Sequence, residues 1–260
     1  MASILSPIPF TMWAIDIMRI LPTSTKQAKY YIITIEYMTK CVEVKPLSVI
    51  TKEEAEKFFL EQIISRFEIT KVCVSDNGTQ FVGNKFGKFL HHFGVQQKFS
   101  SVAHPQGNGA VEANNKIIFQ GIKKRLGEAK GRWEEELPWV LWTYRTTPRS
   151  FTRETPFRLT CGTNALVPVD AGLKSYRMKV YNVEINKFGL RANVDLLEEE
   201  REAAHQMNVK YLLQATQHFD SSMKKRSFGI GDFALREVAA SMPTKQGKFH
   251  RNSEGPYKVI

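Results

Sequence analysis

The chain has 260 residues, 42% of them hydrophobic, which is enough to bury a sizeable core. Thirty-seven Lys and Arg against 26 Asp and Glu give a net charge of +11, and such a balance favours a polyanionic partner because each neutralised phosphate releases counterions. Cys41, Cys73 and Cys161 lack metal-ligand or disulfide spacing, Pro7 and Pro9 interrupt the N-terminal apolar stretch, and no window approaches the roughly 18 apolar residues of a membrane span, so a reduced setting without membrane insertion is expected.

In chain order, residues 10–18 (FTMWAIDIM) are rich in β-branched and aromatic types and predict a buried strand. Residues 30–38 and 40–47 predict two more strands in an antiparallel meander. Thr51 and Glu54 form a capping-box pattern, and Ala55, Phe58, Phe59, Ile63 and Phe67 follow at helical spacing. Residues 71–75 (KVCVS) predict a short strand that stops at Asp76-Asn77-Gly78. A helix over 84–94 ending at Gly94 and a strand over 95–101 come next. A Pro- and Gly-rich loop (HPQGNG, 104–109) leads into helices from Ala110 to about Leu126 and from Trp133 to Tyr144. Residues 145–172 read as turn-rich. A charged helix is expected over roughly 190–219, with Leu197, Ala204, Met207, Tyr211 and Ala215 as its apolar stripe and 198–202 (EEERE) as a solvated face. The segment from Lys224 has the composition of short strands. Strands followed by alternating helices and strands predict an α/β chain with a mixed sheet and helices on its faces.

Three carboxylates stand in unusual settings. Asp16 lies inside an apolar strand, Asp76 at the carboxyl end of another, and Glu112 in the first turn of a helix entered through a Gly-rich loop. Charged groups near a core are costly unless paired or metal-bound, and sites in open α/β sheets form beyond the carboxyl ends of strands. Three hard oxygen ligands suit Mg²⁺ or Mn²⁺, and two such ions can drive in-line displacement at phosphorus. Taken singly, each acid also has an ordinary reading. Asp76-Asn77-Gly78 is a good turn, Glu112 complements a helix dipole, and Asp16 is compatible with a satisfied core polar group.

The blocks VSDNGTQF (74–81) and HPQGNGAVEANNK (104–116) resemble the integrase core of retroviruses and Gypsy-class LTR retrotransposons. That family's signature is two Asp and a Glu, with 35 residues between the second Asp and the Glu. Asp76 and Glu112 have that separation, and WAIDIMRILP (13–22) places Asp16 as the first Asp. Residues 30–44 and 143–168 extend the resemblance over about residues 8–172.

The resemblance implies a ribonuclease-H-like mixed five-stranded sheet flanked by helices, followed by a long helix and a truncated small β-barrel. The corresponding divisions are a catalytic core over 1–172, a helical linker over 173–223 and a partial barrel over 224–260. It further implies metal-dependent processing and strand transfer of DNA ends. Asp16, Asp76 and Glu112 would hold Mg²⁺ or Mn²⁺, two ions in all, while Asn108, Asn115 and Lys116 would contact DNA. Helical spacing sets Glu112, Asn115, Lys116 and Phe119 on one face. The implied partners are element and target DNA and further copies of the chain, and the substrate implies the nucleus. The family's zinc module is expected ahead of the core, so the chain reads as a polyprotein fragment. Arg19-Ile20, Glu36, Cys41 and Ala110 depart from the family pattern without removing a metal ligand. Two other readings remain at this stage: a catalytically silent nucleic-acid-binding remnant, and a nuclease of RNA–DNA hybrids.

Overall fold

A computed structural model describes residues 6–18, 22–82, 84–100, 109–126, 130–165, 182–222, 229–237 and 253–260. Five strands form one mixed sheet: β1 (Met12–Met18), β2 (Tyr30–Glu36), β3 (Val42–Leu47), β4 (Val72–Ser75) and β5 (Gln96–Phe99). Their order is β3-β2-β1-β4-β5. β1 pairs antiparallel with β2 and parallel with β4, so it is the central strand. Its residues Trp13, Ala14 and Ile15 are fully buried because both sheet faces are covered.

Alternation along the strands sorts side chains onto two cores. One face carries Trp13, Ile15 and Cys73 and is covered by α1 (Lys52–Phe59, continued by a π turn to Ile64) and α2 (Asn84–His92). Thr51 caps α1 as expected, its side chain accepting from the Glu54 amide at 3.1 Å. The other face carries Ala14, Ile33 and Val74. It is covered by α3 (Gly109–Leu126) and α4 (Trp133–Thr146), which contribute Ile118, Ile122 and Trp133.

Two expectations change. Residues 156–161 form a short helix, α5 (Pro156–Cys161), inside the stretch that reads as turns. Thr155 caps it, Pro156 supplies the preset φ of its first turn, and Gly162 closes it at φ 73. The charged helix α6 spans Val183–Ser222, longer than expected at its N-terminal end. Its buried positions are Leu197, Ala204 and Asn208, whereas Tyr211 is 47% exposed and Ala215 is exposed. Nor is 198–202 wholly solvated. Glu200 pairs with Arg158 of α5, and Arg201 Nε donates to the Leu159 carbonyl at 2.9 Å. These contacts dock α6 on α5 and supply what the apolar stripe alone lacks.

Past α6, β6 (Phe233–Glu237) pairs antiparallel with β7 (Ser253–Lys258) as a separate two-stranded sheet. The rest of the expected barrel region, 224–228 and 238–252, lies outside the described residues, as do Arg19 and Ile20.

The β2–β3 turn encloses a buried charge pair. Glu36 is fully buried and accepts hydrogen bonds from the Phe10, Met38 and Thr39 amides and the Thr39 hydroxyl. Lys40, 7% exposed, donates to the Tyr37 carbonyl at 2.6 Å and lies 5.4 Å from the Phe151 ring centre. Burial lowers the Lys40 amine to about 8, against the opposing pull of Glu36. Below that pH both folded and unfolded chains bind the proton. Above it the unfolded chain binds more, so the contribution of Lys40 to stability rises with pH until the unfolded lysine titrates. Burial raises the Cys41 and Cys73 thiols, which makes an opposing contribution that falls over the same range. Between about pH 7.5 and 9.5 the stability of the parent in urea unfolding is therefore expected to rise by about 1–2 kcal/mol relative to Lys40→Met, in which the thiol contribution is the same. Parallel pH profiles of parent and variant would exclude Lys40 from this role.

Candidate active site

The register between β1 and β4 brings two of the three acids together. Ala14 aligns with Val74 and Ile15 with Ser75, so Asp16 and Asp76 come next on neighbouring parallel strands. Such strands run about 4.8 Å apart. Two-residue alternation puts Asp16 on the face of Ala14 and Asp76 on the face of Val74, which is the α3 side for both. β4 ends at Ser75, so Asp76 stands where a parallel sheet opens its carboxyl edge.

Each acid is held locally. Asp16 Oδ1 accepts from the Ile17 amide at 2.8 Å. Asp76 Oδ1 accepts from the Gly78 amide at 3.0 Å, and the Gly78 carbonyl in turn accepts from the Phe81 and Val82 amides at 2.9 Å. A Cβ on Gly78 would lie 2.9 Å from Asp76 Oδ1 and closer still to the Gln80 side chain, so a larger residue here would push the Gln80 amide and the Asp76 carboxylate out of their positions. β5 braces it from outside: Gln97 Nε2 donates to Ser75 Oγ at 3.2 Å and to the Phe81 carbonyl at 3.0 Å. The Asp-Asn-Gly turn is therefore real, and it also presents a carboxylate.

α3 supplies the third side. Asn115, 2% exposed, donates from Nδ2 to Asp16 Oδ2 at 2.7 Å. Its Oδ1 is buried with no hydrogen-bond partner among the described residues. Glu112 lies in the first turn of α3, three residues before Asn115; its side chain, like those of the neighbouring residues 109–114, lies outside the described set. Asn108 and the loop 104–108 also lie outside it. The face expected for Glu112, Asn115, Lys116 and Phe119 divides. Asn115 turns inward with Ile118 and Ile122, whereas Lys116 is exposed. The signal was available, since 115, 118 and 122 follow the i, i+3, i+7 rule of a buried stripe.

Tyr31, fully buried near Asp16, was not foreseen. Burial raises its hydroxyl above the usual range and the Asp16 charge adds to that. Among the described residues no three His, Cys, Asp or Glu side chains gather closely enough to hold a metal, a set that leaves out Glu112. A groove of about 450 Å³ lies elsewhere, between β3 and α4, and is lined by Glu43, Leu137, Trp142, Arg145 and Phe157 among others.

Residues 6–105 match the integrase core domain family. The integrase match includes Asp16 and Asp76 with the strands that align them. The chain is 27% identical over 248 residues to an uncharacterised protein of Caenorhabditis elegans, covering 87% of this chain and 19% of that protein. It is 32% identical over 155 residues to the Gag-Pol polyprotein of gibbon ape leukemia virus, covering 59% of this chain and 9% of the polyprotein. The chain thus spans a fifth or less of these relatives. Among solved structures it resembles a chain of the simian T-cell lymphotropic virus intasome in complex with the PP2A regulatory subunit B56 gamma. The TM-score is 0.55 at 17% identity, with 64% of this chain and 59% of that chain covered. The five-stranded mixed sheet with flanking helices is the ribonuclease-H-like fold, as the sequence led us to expect.

Proposed function

We propose that this chain carries the catalytic core of a Gypsy-class retroelement integrase, which trims element DNA ends and joins them to target DNA. The observation that carries the reading is the β1–β4 register, which makes Asp16 in β1 and Asp76, just past the end of β4, the next positions in line, with α3 bonded to Asp16 through Asn115. Both are carboxylates. Their oxygens are hard donors, the buried Cys73 faces the opposite core, and Asn115 Oδ1, unpartnered among the described residues, adds a neutral oxygen at the same place. This donor set fits Mg²⁺ or Mn²⁺. Asp16, Asp76 and Glu112 would hold two such ions. Bound there, they would activate the attacking oxygen and neutralise charge at phosphorus.

The chain's own residues do the rest. Asn115 fixes the Asp16 carboxylate by a charge-assisted hydrogen bond, while Ile17 N–H and Gly78 N–H fix one oxygen of each Asp. Lys116, exposed one residue beyond Asn115, pairs a DNA phosphate, and Lys123 and Lys124 continue the positive edge of α3. Asn108 contacts DNA from the preceding loop. Partners are element and target DNA and further copies of the chain, and action on chromosomal DNA places the protein in the nucleus.

Incubating the chain with element-end oligonucleotides, target DNA and Mg²⁺ or Mn²⁺ is expected to give strand-transfer products that chelation abolishes. Salt-sensitive DNA binding without joining, with the flanking domains of the polyprotein restored, would instead identify a silent binding remnant. A separate measurement concerns Asn115→Ala. Losing the donor to Asp16 is expected to weaken Mn²⁺ binding by calorimetry about 10–100-fold without loss of fold. Unchanged Mn²⁺ affinity would remove Asn115 from this role.

A further inference from the structure

The last ladder residue of β4 is Ser75, so the sheet stops one residue short of Asp76. Beyond it the chain is held by bonds that close within the turn. Asp76 Oδ1 accepts from the Gly78 amide at 3.0 Å, and the Gly78 carbonyl accepts from the Phe81 and Val82 amides at 2.9 Å. Such bonds set the shape of the turn but not where it stands against the sheet. Phe81, fully buried, anchors its far end by packing. Among the described residues, two side chains then tie the turn to β5 and the residue after it. Asn77 Nδ2 donates to the Ser100 carbonyl, but this bond is long at 3.4 Å and exposed. The other side chain is Gln97.

Gln97 aligns with Cys73, and its half-buried side chain reaches along the strand to the carboxyl edge of the sheet. Its Nε2 donates to Ser75 Oγ at 3.2 Å and to the Phe81 carbonyl at 3.0 Å. One amide nitrogen thus joins the residue before Asp76 to the residue that closes the turn. Its orientation is set from the other side. A Cβ on Gly87 of α2 would lie 3.2 Å from Gln97 Oε1, so α2 closes over the oxygen. The reversed amide would aim that oxygen at the Phe81 carbonyl, acceptor against acceptor.

We propose that Gln97 is a positioning residue for the Asp76 carboxylate, pinning the turn that carries it to the edge of the sheet. This rests on the proposed function, which makes Asp76 a metal ligand. Small divalent ions demand near-ideal geometry from their oxygens, so a turn free to shift would bind them less well. Removing a side chain that orients a ligand without touching the ion typically costs about 10–100-fold in metal affinity. Gln97 acts on Asp76 through the backbone, which puts its effect at the low end of that range.

Gln97→Met keeps the side-chain length and removes both donations, while Gln96→Met, at the exposed neighbouring position of β5, is the control. Without metal or DNA, amide hydrogen exchange at Gly78 and Phe81 is expected to quicken at least ~tenfold in Gln97→Met, with the amides of β1 and β2 unchanged. Calorimetry is expected to find Mn²⁺ bound about tenfold more weakly. In strand joining, the Mn²⁺ concentration for half-maximal rate should rise by the same factor while the rate at saturating Mn²⁺ stays within about threefold. A merely structural loss would do the reverse, lowering the saturated rate with the folded fraction. Ser75→Ala leaves Gln97 only the Phe81 carbonyl; it is expected to give the same changes at about threefold, and it decides the question if Gln97→Met does not fold. Turn exchange and Mn²⁺ affinity in Gln97→Met equal to those of Gln96→Met would overturn the proposal. A parent that binds no Mn²⁺ would overturn the functional reading instead, and exchange at Gly78 would still decide whether Gln97 holds the turn.

Discussion

Asp76→Asn is expected to leave the chain folded and to remove metal-dependent strand joining by at least ~10³-fold. The fold should survive because the native contact of Asp76 needs only an acceptor: its Oδ1 takes the Gly78 amide at 3.0 Å, and an asparagine carbonyl can do the same. The turn is also braced independently by Gln97 from β5. The substitution is isosteric and keeps the turn's acceptor, so unfolding stability should stay within about 0.5 kcal/mol of the parent. Activity should not survive, because a neutral amide is a poor ligand for a hard divalent ion. Losing ~4 kcal/mol of transition-state stabilisation corresponds to ~10³ in rate. DNA binding in the absence of metal should change little, since Lys116, Lys123 and Lys124 are untouched. Strand-transfer and filter-binding assays on the same preparation separate the two quantities. Joining that persists in the variant would remove Asp76 from the site.

Glu36→Ala should have the largest effect on stability, about 3–5 kcal/mol in urea unfolding. Its carboxylate is fully buried and satisfies three amides and a hydroxyl, with Phe10 N at 3.1 Å, Met38 N at 3.0 Å and Thr39 Oγ at 2.7 Å. Truncation would orphan all four donors and leave the Lys40 charge buried without its compensating anion. Glu36→Gln should cost less, because it keeps the volume and one acceptor while losing the charge. Glu36 aligns with Trp13, three residues and roughly 10 Å along β1 from Asp16, so the folded fraction should retain its metal-binding carboxylates. A loss under about 1 kcal/mol for Glu36→Ala would show that water or rearranged backbone satisfies this turn.

The two predictions concern opposite ends of the central strand, and they differ in how visible they were. Asp16 and Asp76 announce themselves as acids beside apolar strands and match a family signature. Glu36 looked only like a departure from that signature. Its reason is a loop that folds back onto it through Phe10 and Thr39, which no local pattern encodes. Asn115 lies between these cases. Its helical spacing with Ile118 and Ile122 marks it as inward-facing, but the identity of its partner, Asp16, 99 residues away, depends on how α3 crosses the sheet.

Periodicity alone was enough for the five strands and the four longest core helices, because the 2.0 and 3.6 repeats are local properties of the chain. It was also enough to nominate the acids, since a carboxylate in an apolar strand is costly wherever the strand goes. The short helix α5 and the true buried stripe of α6 were decided by tertiary contact. Leu197 packs beside Gly162, and Arg158 and Arg201 meet groups across the α5–α6 junction, so burial there follows the neighbour rather than the hydropathy pattern. Strand register was decided in the same way. The sequence names Asp16 and Asp76, but only hydrogen bonding between β1 and β4 sets them side by side, because pairing between strands separated by 60 residues is fixed by the packing of both faces at once.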